Sequence, residues 1–181
     1  SSADARKYGP TMCPIDFNKN GKMDVFEDST RPVDLRVADL LSQMTLEEKT
    51  CQLATLYGYG RVLKQELPDS SWNHQVWKDG IANIDEELNS LAYNPGAHTA
   101  LSYPFSRHAR AINEVQRWFV EHTRLGIPVD FTNEGIHGLC HEKATPLPAP
   151  ISIASTWDRS LVHAAGTVVG REARLLGYTN V

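Results

Sequence analysis

Basic residues are never clustered in this sequence. No run of Lys and Arg reaches four, and 18 basic side chains face 22 acidic ones, for a net charge of −4. That balance lacks the charge footprint of a nucleic-acid-binding surface. No apolar stretch approaches the roughly 18 residues a membrane span requires, and no signal-peptide core stands at the start. Cysteine is scarce: Cys13, Cys51 and Cys140 are odd in number, widely spaced and without a Cys-x-x-Cys pair, which excludes a disulfide framework. One bridge stays open, but a chain of 181 residues needs no staple, and three thiols are the expectation. Charged residues, at 22%, are too few for a disordered chain, and 41% hydrophobic residues suffice for a core. The expectation is a soluble globular chain, one domain or part of a larger one.

Residues 1–33 read as loop, broken by Gly9-Pro10, Cys13-Pro14, Asn20-Gly21 and Arg31-Pro32. Val37, Leu40, Leu41 and Met44 then recur at the spacing of a helix packed on one side. Thr45-Leu46-Glu47-Glu48 is a capping box that opens a second helix, expected to run to about Leu56. From Gly58 to Phe105 the pattern is irregular, with one short helix expected on Ile84, Leu88 and Leu91. Such a loop-rich stretch is typically functional or a cover. Its aromatics, Trp72, Trp77, Tyr93, Tyr103 and Phe105 among them, either stack on sugar rings or bury area beneath the cover.

Regularity returns with a helix from about Ser106 to Leu125, closed by Gly126 at C′ and Pro128 beyond. Residues 127–132 read as a short buried strand, and Ile151–Ala154 as another after the prolines at 146, 148 and 150. Asp158 caps a helix striped by Leu161, Val162, Ala165, Val168 and Val169 that ends at Gly177. Tyr178-Thr179-Asn180-Val181 looks like the opening of a further strand. Alternation of this kind predicts a parallel α/β architecture. It supplies about two completed units, too few for a closed barrel of eight, so a fragment is expected.

The sharpest local motif spans residues 16–27 and matches a twelve-residue calcium loop position by position. Asp16, Asn18 and Asn20 offer side-chain oxygens, Lys22 its carbonyl and Glu27 two closing oxygens, while Gly21 permits the sharp turn and Asp24 adds a third carboxylate. A turn-rich loop without metal is the competing reading. No second loop of this type follows, so any ion would be structural. Next comes Thr132-Asn133-Glu134-Gly135-Ile136-His137-Gly138, directly after the strand at 127–132. Strand ends face the active site in β/α barrels, so Glu134 and His137 are candidates for substrate contact. Otherwise they are an ion-paired carboxylate and a satisfied histidine. His137 and His141 have the spacing of a helical zinc pair, but Gly138 and the prolines that follow oppose a helix there.

These residues together resemble a known family. Asp39-Leu40-Leu41-Ser42-Gln43-Met44-Thr45-Leu46-Glu47-Glu48-Lys49, Leu125-Gly126-Ile127-Pro128, Asn133-Glu134-Gly135-Ile136-His137-Gly138, the 145–150 proline run and Thr156-Trp157-Asp158 are similar, in order and spacing, to glycoside hydrolase family 3. This family comprises β-glucosidases and β-xylosidases. The resemblance covers about residues 16–181. It implies an α/β fold, an incomplete amino-terminal portion of a (β/α)8 TIM-type barrel preceded by the calcium-type loop. Residues 1–33 would form the extension and 34–181 the first part of the barrel domain.

Members retain anomeric configuration and take their nucleophile from a Ser/Thr-Asp-Trp stretch on a late strand, with the acid/base usually from a later domain. No Ser-Asp-Trp or Thr-Asp-Trp occurs here, nor does the family's Asp-Pro-Arg-Trp-Gly-Arg stretch or the Lys-His pair after it. Glu134 alone maps onto a family role, accepting hydrogen bonds from sugar hydroxyls at the cleavage site. Gly135 and Ile136 replace the Ala and Leu of that branch.

The resemblance thus implies an amino-terminal fragment of a retaining exo-acting β-glycosidase for terminal glucosyl or xylosyl units. By itself the chain is expected to be inactive. A β-linked glycoside, the remainder of the barrel and a following domain would be its partners, and one structural calcium its only ion. Export to the periplasm or outside is implied as well, and Ser1-Ser2-Ala3 is consistent with a removed leader. The alternative is a calcium-stabilised carbohydrate-binding module without catalysis.

Overall fold

The computed structural model describes residues 15–58, 62, 67–89 and 100–181. Cys13, Leu91 and Tyr93 lie outside them. In chain order the elements are α1 (Val33–Gln43), α2 (Leu46–Cys51), β1 (Thr55–Tyr57), β2 (Asn83–Asp85), α3 (Phe105–His122), β3 (Asp130–Thr132), α4 (Pro150–Ala154) and α5 (Arg159–Leu176). A 3-10 turn at Ser70–His74 sits between β1 and β2.

The strands form one parallel sheet in the order β1-β2-β3, with Ile84 beside Leu56 on one side and Phe131 on the other. Parallel neighbours require a crossover, which α3 supplies between β2 and β3. After α5 the chain returns to the sheet, where Asn180 bridges Thr132 in parallel and the Thr179 N–H donates to Phe131 O at 2.8 Å. The strand-like opening expected at Tyr178–Val181 is therefore present and lies next to β3.

Side chains alternate across this sheet. Leu56, Ile84 and Phe131 point into a core completed by Ile112, Val115 and Phe119 of α3 and Val169, Ala173 and Leu176 of α5. The opposite face carries Asn83, Asp85, Asp130 and Thr132, all half-buried and hydrogen-bonded across the strands. Gln116 ties α3 to the sheet by a two-way bond with the Val129 backbone, 2.8 Å in each direction.

Local signals place most helix ends. Thr45 and Glu48 form the reciprocal cap expected of them, with Thr45 Oγ1 accepting from Glu48 N–H (3.2 Å) and Glu48 Oε2 from Thr45 N–H (2.8 Å). Asp158 caps α5, and Gly177 ends it at φ 99°. Trp72 and Trp77 pack edge-on, 5.2 Å apart, and Trp72 meets Trp118 at 5.3 Å. Both are buried, so these two aromatics belong to the core and do not face a ligand.

Four expectations fail. α3 stops at His122, with the Thr123 N–H donating to Phe119 O, rather than at Leu125 with Gly126 at C′. The helix expected around Ile84 and Leu88 is instead β2 and its exit, because Glu86 and Leu88 take left-handed conformations (φ 52° and 58°) that no right-handed helix admits. The strand expected at Ile151–Ala154 is the short helix α4, which starts with Pro150 at a position where its missing N–H costs nothing. α2 stops at Cys51 rather than Leu56, since Thr55–Tyr57 are drawn into the sheet. In α1 no residue is buried: Val37 and Leu41 are about half exposed, and only Met44 at its C-cap is covered.

Candidate functional site

The three strands are parallel, so their exits gather at one end of the sheet: Gly58 after β1, Asp85 to Glu87 around the end of β2, and Asn133-Glu134 after β3. The exits are cross-linked. Gly58 N–H donates to Asp85 O (2.7 Å), Glu86 N–H to Thr132 O (3.0 Å), and Thr132 Oγ1 to Asp85 Oδ1 (2.6 Å). A Cβ at Gly58 would lie 2.0 Å from Glu87 Oε2 and 2.7 Å from Glu87 Cα, so only glycine lets β1 leave over the buried Glu87.

Glu134 lies on the loop that leaves β3, with its side chain exposed. Asn133 organises this loop from beneath: its Oδ1 accepts from Glu134 N–H (2.8 Å), and its Nδ2 donates to Cys140 O (3.0 Å). Cys140 N–H closes the loop on Glu134 O at 2.7 Å. Gly138, at φ 91°, takes the turn, and a Cβ there would sit 2.2 Å from Thr145 O.

Facing Glu134 is Glu86, only 7% exposed. Its Oε1 accepts from the Cys140 thiol at 3.2 Å. One oxygen from each carboxylate and the Cys140 sulfur all lie within 4.8 Å of one another. Burial pushes the Glu86 carboxyl above its ordinary value; the thiol hydrogen bond opposes this, and the negative charges of Glu134 and Asp85 reinforce it. The exit of β2 was missed in the sequence. Its signal was the turn Asp79-Gly80 followed by a short apolar run, which reads equally well as helix or strand.

Neither histidine of the zinc pair joins this group. His137 is exposed, whereas His141 is buried against His108 (ring centroids 5.1 Å) and Phe105 (5.6 Å). His108 bonds through Nδ1 to Leu176 O (2.7 Å) and through Nε2 to Tyr178 Oη (3.1 Å). Burial lowers both histidines to about 4. They are neutral packing and hydrogen-bonding groups. Cys51 and Cys140 are both thiols.

The 16–27 loop lies at the other end of the sheet. Its Lys19 Nζ donates to Val120 O (2.8 Å) and Thr123 O (2.7 Å) at the C-terminus of α3, where carbonyls lack helical partners. Within the loop, Asp16 accepts from Asn20 N–H (3.1 Å) and Gly21 N–H (2.8 Å), and Glu27 from Phe17 N–H (2.7 Å) and Asp24 N–H (2.9 Å). Asn18 and Asn20 both donate through Nδ2 to Asp24 Oδ2 at 2.6 Å. The oxygen-bearing side chains thus converge around Asp24, with Gly21 at φ 77° making the turn. The donor set, all oxygen, suits a hard cation; turning over the two amides would present their Oδ1 atoms to it. Lys22 lends its amide to Asn20 Oδ1 (2.8 Å) and keeps its carbonyl as the only candidate ligand.

Residues 45–180 match the family described as the glycosyl hydrolase family 3 N-terminal domain. The chain is 30% identical over 155 residues to a putative beta-xylosidase of Formosa agariphila, covering 84% of this chain and 19% of that protein. It is 26% identical over 172 residues to a periplasmic beta-glucosidase/beta-xylosidase of Dickeya chrysanthemi (91% and 25%). With a probable beta-glucosidase C of Aspergillus oryzae it shares 27% over 147 residues (81% and 21%). The chain spans 19–25% of the length of these relatives. Among the described residues, no helix is long and apolar enough to cross a membrane.

Proposed function

The chain belongs to glycosyl hydrolase family 3, and from that membership we propose that it is the amino-terminal part of the barrel domain of a retaining exo-acting β-glycosidase. The substrate is a terminal β-linked glucosyl or xylosyl unit, the chemistry that the relatives' names carry. The observation that supports this reading is Glu134, exposed at the carboxyl end of a parallel strand, the end where β/α barrels build their sites. Its carboxylate accepts hydrogen bonds from sugar hydroxyls. Such charge-assisted bonds fix the ring while other groups attack the anomeric carbon.

Retention needs a nucleophile and an acid/base about 5–5.5 Å apart. Neither maps onto these residues, so the rest of the barrel and a following domain supply them, and the chain alone is inactive. The uncovered side of α5 supports this: Leu161, Val162 and Val168 are exposed, and Ile136, Leu147, Ile153 and Val162 line an apolar groove beside it. The next β/α unit covers that groove. The location is the periplasm or the outside; the relative from Dickeya is named as periplasmic.

The loop at 16–27 holds one structural calcium through Asp16, Asn18, Asn20, the Lys22 carbonyl and Glu27, with Asp24 beside them. It works at the end of the sheet away from Glu134 and takes no part in the chemistry.

The decisive experiment compares hydrolysis of aryl β-glucosides and β-xylosides by these 181 residues and by the chain extended through the expected Asp-Trp segment and later domain. Turnover by the extended protein only is expected. Turnover by the short chain would move the chemistry to its own carboxylates, Glu86 and Glu134 first. Sugar binding without turnover in the extended protein would favour a carbohydrate-binding module.

A further inference from the structure

We propose that Glu86 is a positioning residue for Glu134, acting through the Cys140 thiol that it holds. The inference rests on the reading of Glu134 as the sugar-binding carboxylate. Glu134 is exposed on a loop, so its direction follows how that loop is held. Cys140 closes that loop: it bonds to Glu134 O through its N–H (2.7 Å), and its carbonyl accepts from Asn133 Nδ2 (3.0 Å). Both bonds lie within the β3 exit. The third bond, from Sγ–H to Glu86 Oε1 at 3.2 Å, crosses to the exit of β2. A backbone tie from Glu142 N–H to Asn89 O (3.0 Å) runs alongside it, so the thiol–carboxyl bond is the part that a side chain can alter.

Glu86 is itself held hard. Its N–H donates to Thr132 O at 3.0 Å, its side chain is buried, and its left-handed backbone (φ 52°) is one that a non-glycine residue keeps only under constraint. An anchored group bonded to the closing residue of a mobile class of structure, a surface loop, is how a scaffold fixes a reactive side chain. Burial, with the negative charges of Glu134 and Asp85 beside it, raises the Glu86 carboxyl above its ordinary value.

The test uses the whole glycosidase that carries this chain. Glu86→Ala and Cys140→Ala are each expected to raise KM for an aryl β-glycoside about tenfold, the effect of one lost hydrogen bond, with a smaller change in kcat. Cys140→Ser, which restores a donor, is expected to recover most of the loss. An unchanged KM in both alanine variants of an active enzyme overturns the proposal, as does an equal loss in the serine variant. Alkylation of Cys140 by iodoacetamide, followed by peptide mass, reads the clamp without turnover. Glu86→Ala is expected to accelerate it several-fold, and an unchanged rate overturns the proposal even in a protein that hydrolyses nothing. Accelerated alkylation in a whole protein inactive on every β-glycoside overturns the glycosidase reading instead.

Discussion

His108 and His141 are buried edge to face against one another, and their burial has a pH signature. Each has its folded pKa lowered to about 4, against 6.5 for the free ring, so the unfolded chain takes up protons before the folded one does. The stability they contribute is complete above pH 6.5 and is lost as pH falls toward 4, at roughly 3 kcal/mol per ring as an upper bound. Equilibrium unfolding in denaturant between pH 7 and 4.5 is expected to show a slope that approaches two protons midway between the two values, at about pH 5. A flat profile would mean that these rings are not held neutral. Glu134 has a different weight: exposed and, among the described residues, hydrogen-bonded through its backbone, it does little for stability. Glu134→Ala is expected to leave the melting temperature unchanged while lowering kcat/KM of the whole enzyme about 30-fold or more, the loss of a charge-assisted bond to substrate. A comparable drop in melting temperature would point to a structural carboxylate.

At the scale of elements, α2 is six residues long and depends on its cap. Glu48 serves both that cap and Arg124, whose Nε lies 2.9 Å from Glu48 Oε1, so one carboxylate links the second helix to the chain entering β3. Burial raises the Glu48 pKa, but the Arg124 guanidinium and the Thr45 amide outweigh it and hold it low. Thr45→Ala is expected to cost about 1 kcal/mol and Arg124→Ala about 1–3 kcal/mol, because the latter strands a buried carboxylate. Chemical denaturation of the two variants would check the order. The calcium-type loop is tested in the same units. Added calcium is expected to raise the melting temperature, a chelator to reverse the rise, and Glu27→Gln to abolish it; no shift with calcium would leave a metal-free turn.

This scale also shows what the sequence makes legible. α3 and α5 are readable because their stripes, the Asp158 cap and Gly177 are all local signals, although α3 ends at His122 before Gly126 is reached. β2 is not, because Ile84 becomes a strand residue only through partners 28 positions before it and 47 after, and the left-handed turns at Glu86 and Leu88 are imposed by that pairing. Glu134 stands out as a carboxylate following a recognisable strand. Glu86 is illegible for the same reason as β2, and its bond to Cys140 spans 54 positions that no local pattern connects.

For the whole molecule, the polar face of the sheet carries a condition on how the sequence can change. Asn83 Nδ2 donates to Asp130 O (3.0 Å) and to Thr132 Oγ1 (3.1 Å), and Thr132 Oγ1 reaches Asp85 Oδ1 (2.6 Å). A slip of one residue between β2 and β3 would set Ile84 against Thr132 and turn the apolar row outward. Those side chains therefore lock the alignment that Ile84 and Phe131 need on the other side. Inheritance at positions 83, 85 and 132 is consequently linked: a descendant that exchanges one of the three must find compatible partners at the other two, and the trio drifts as a unit or stays as it is.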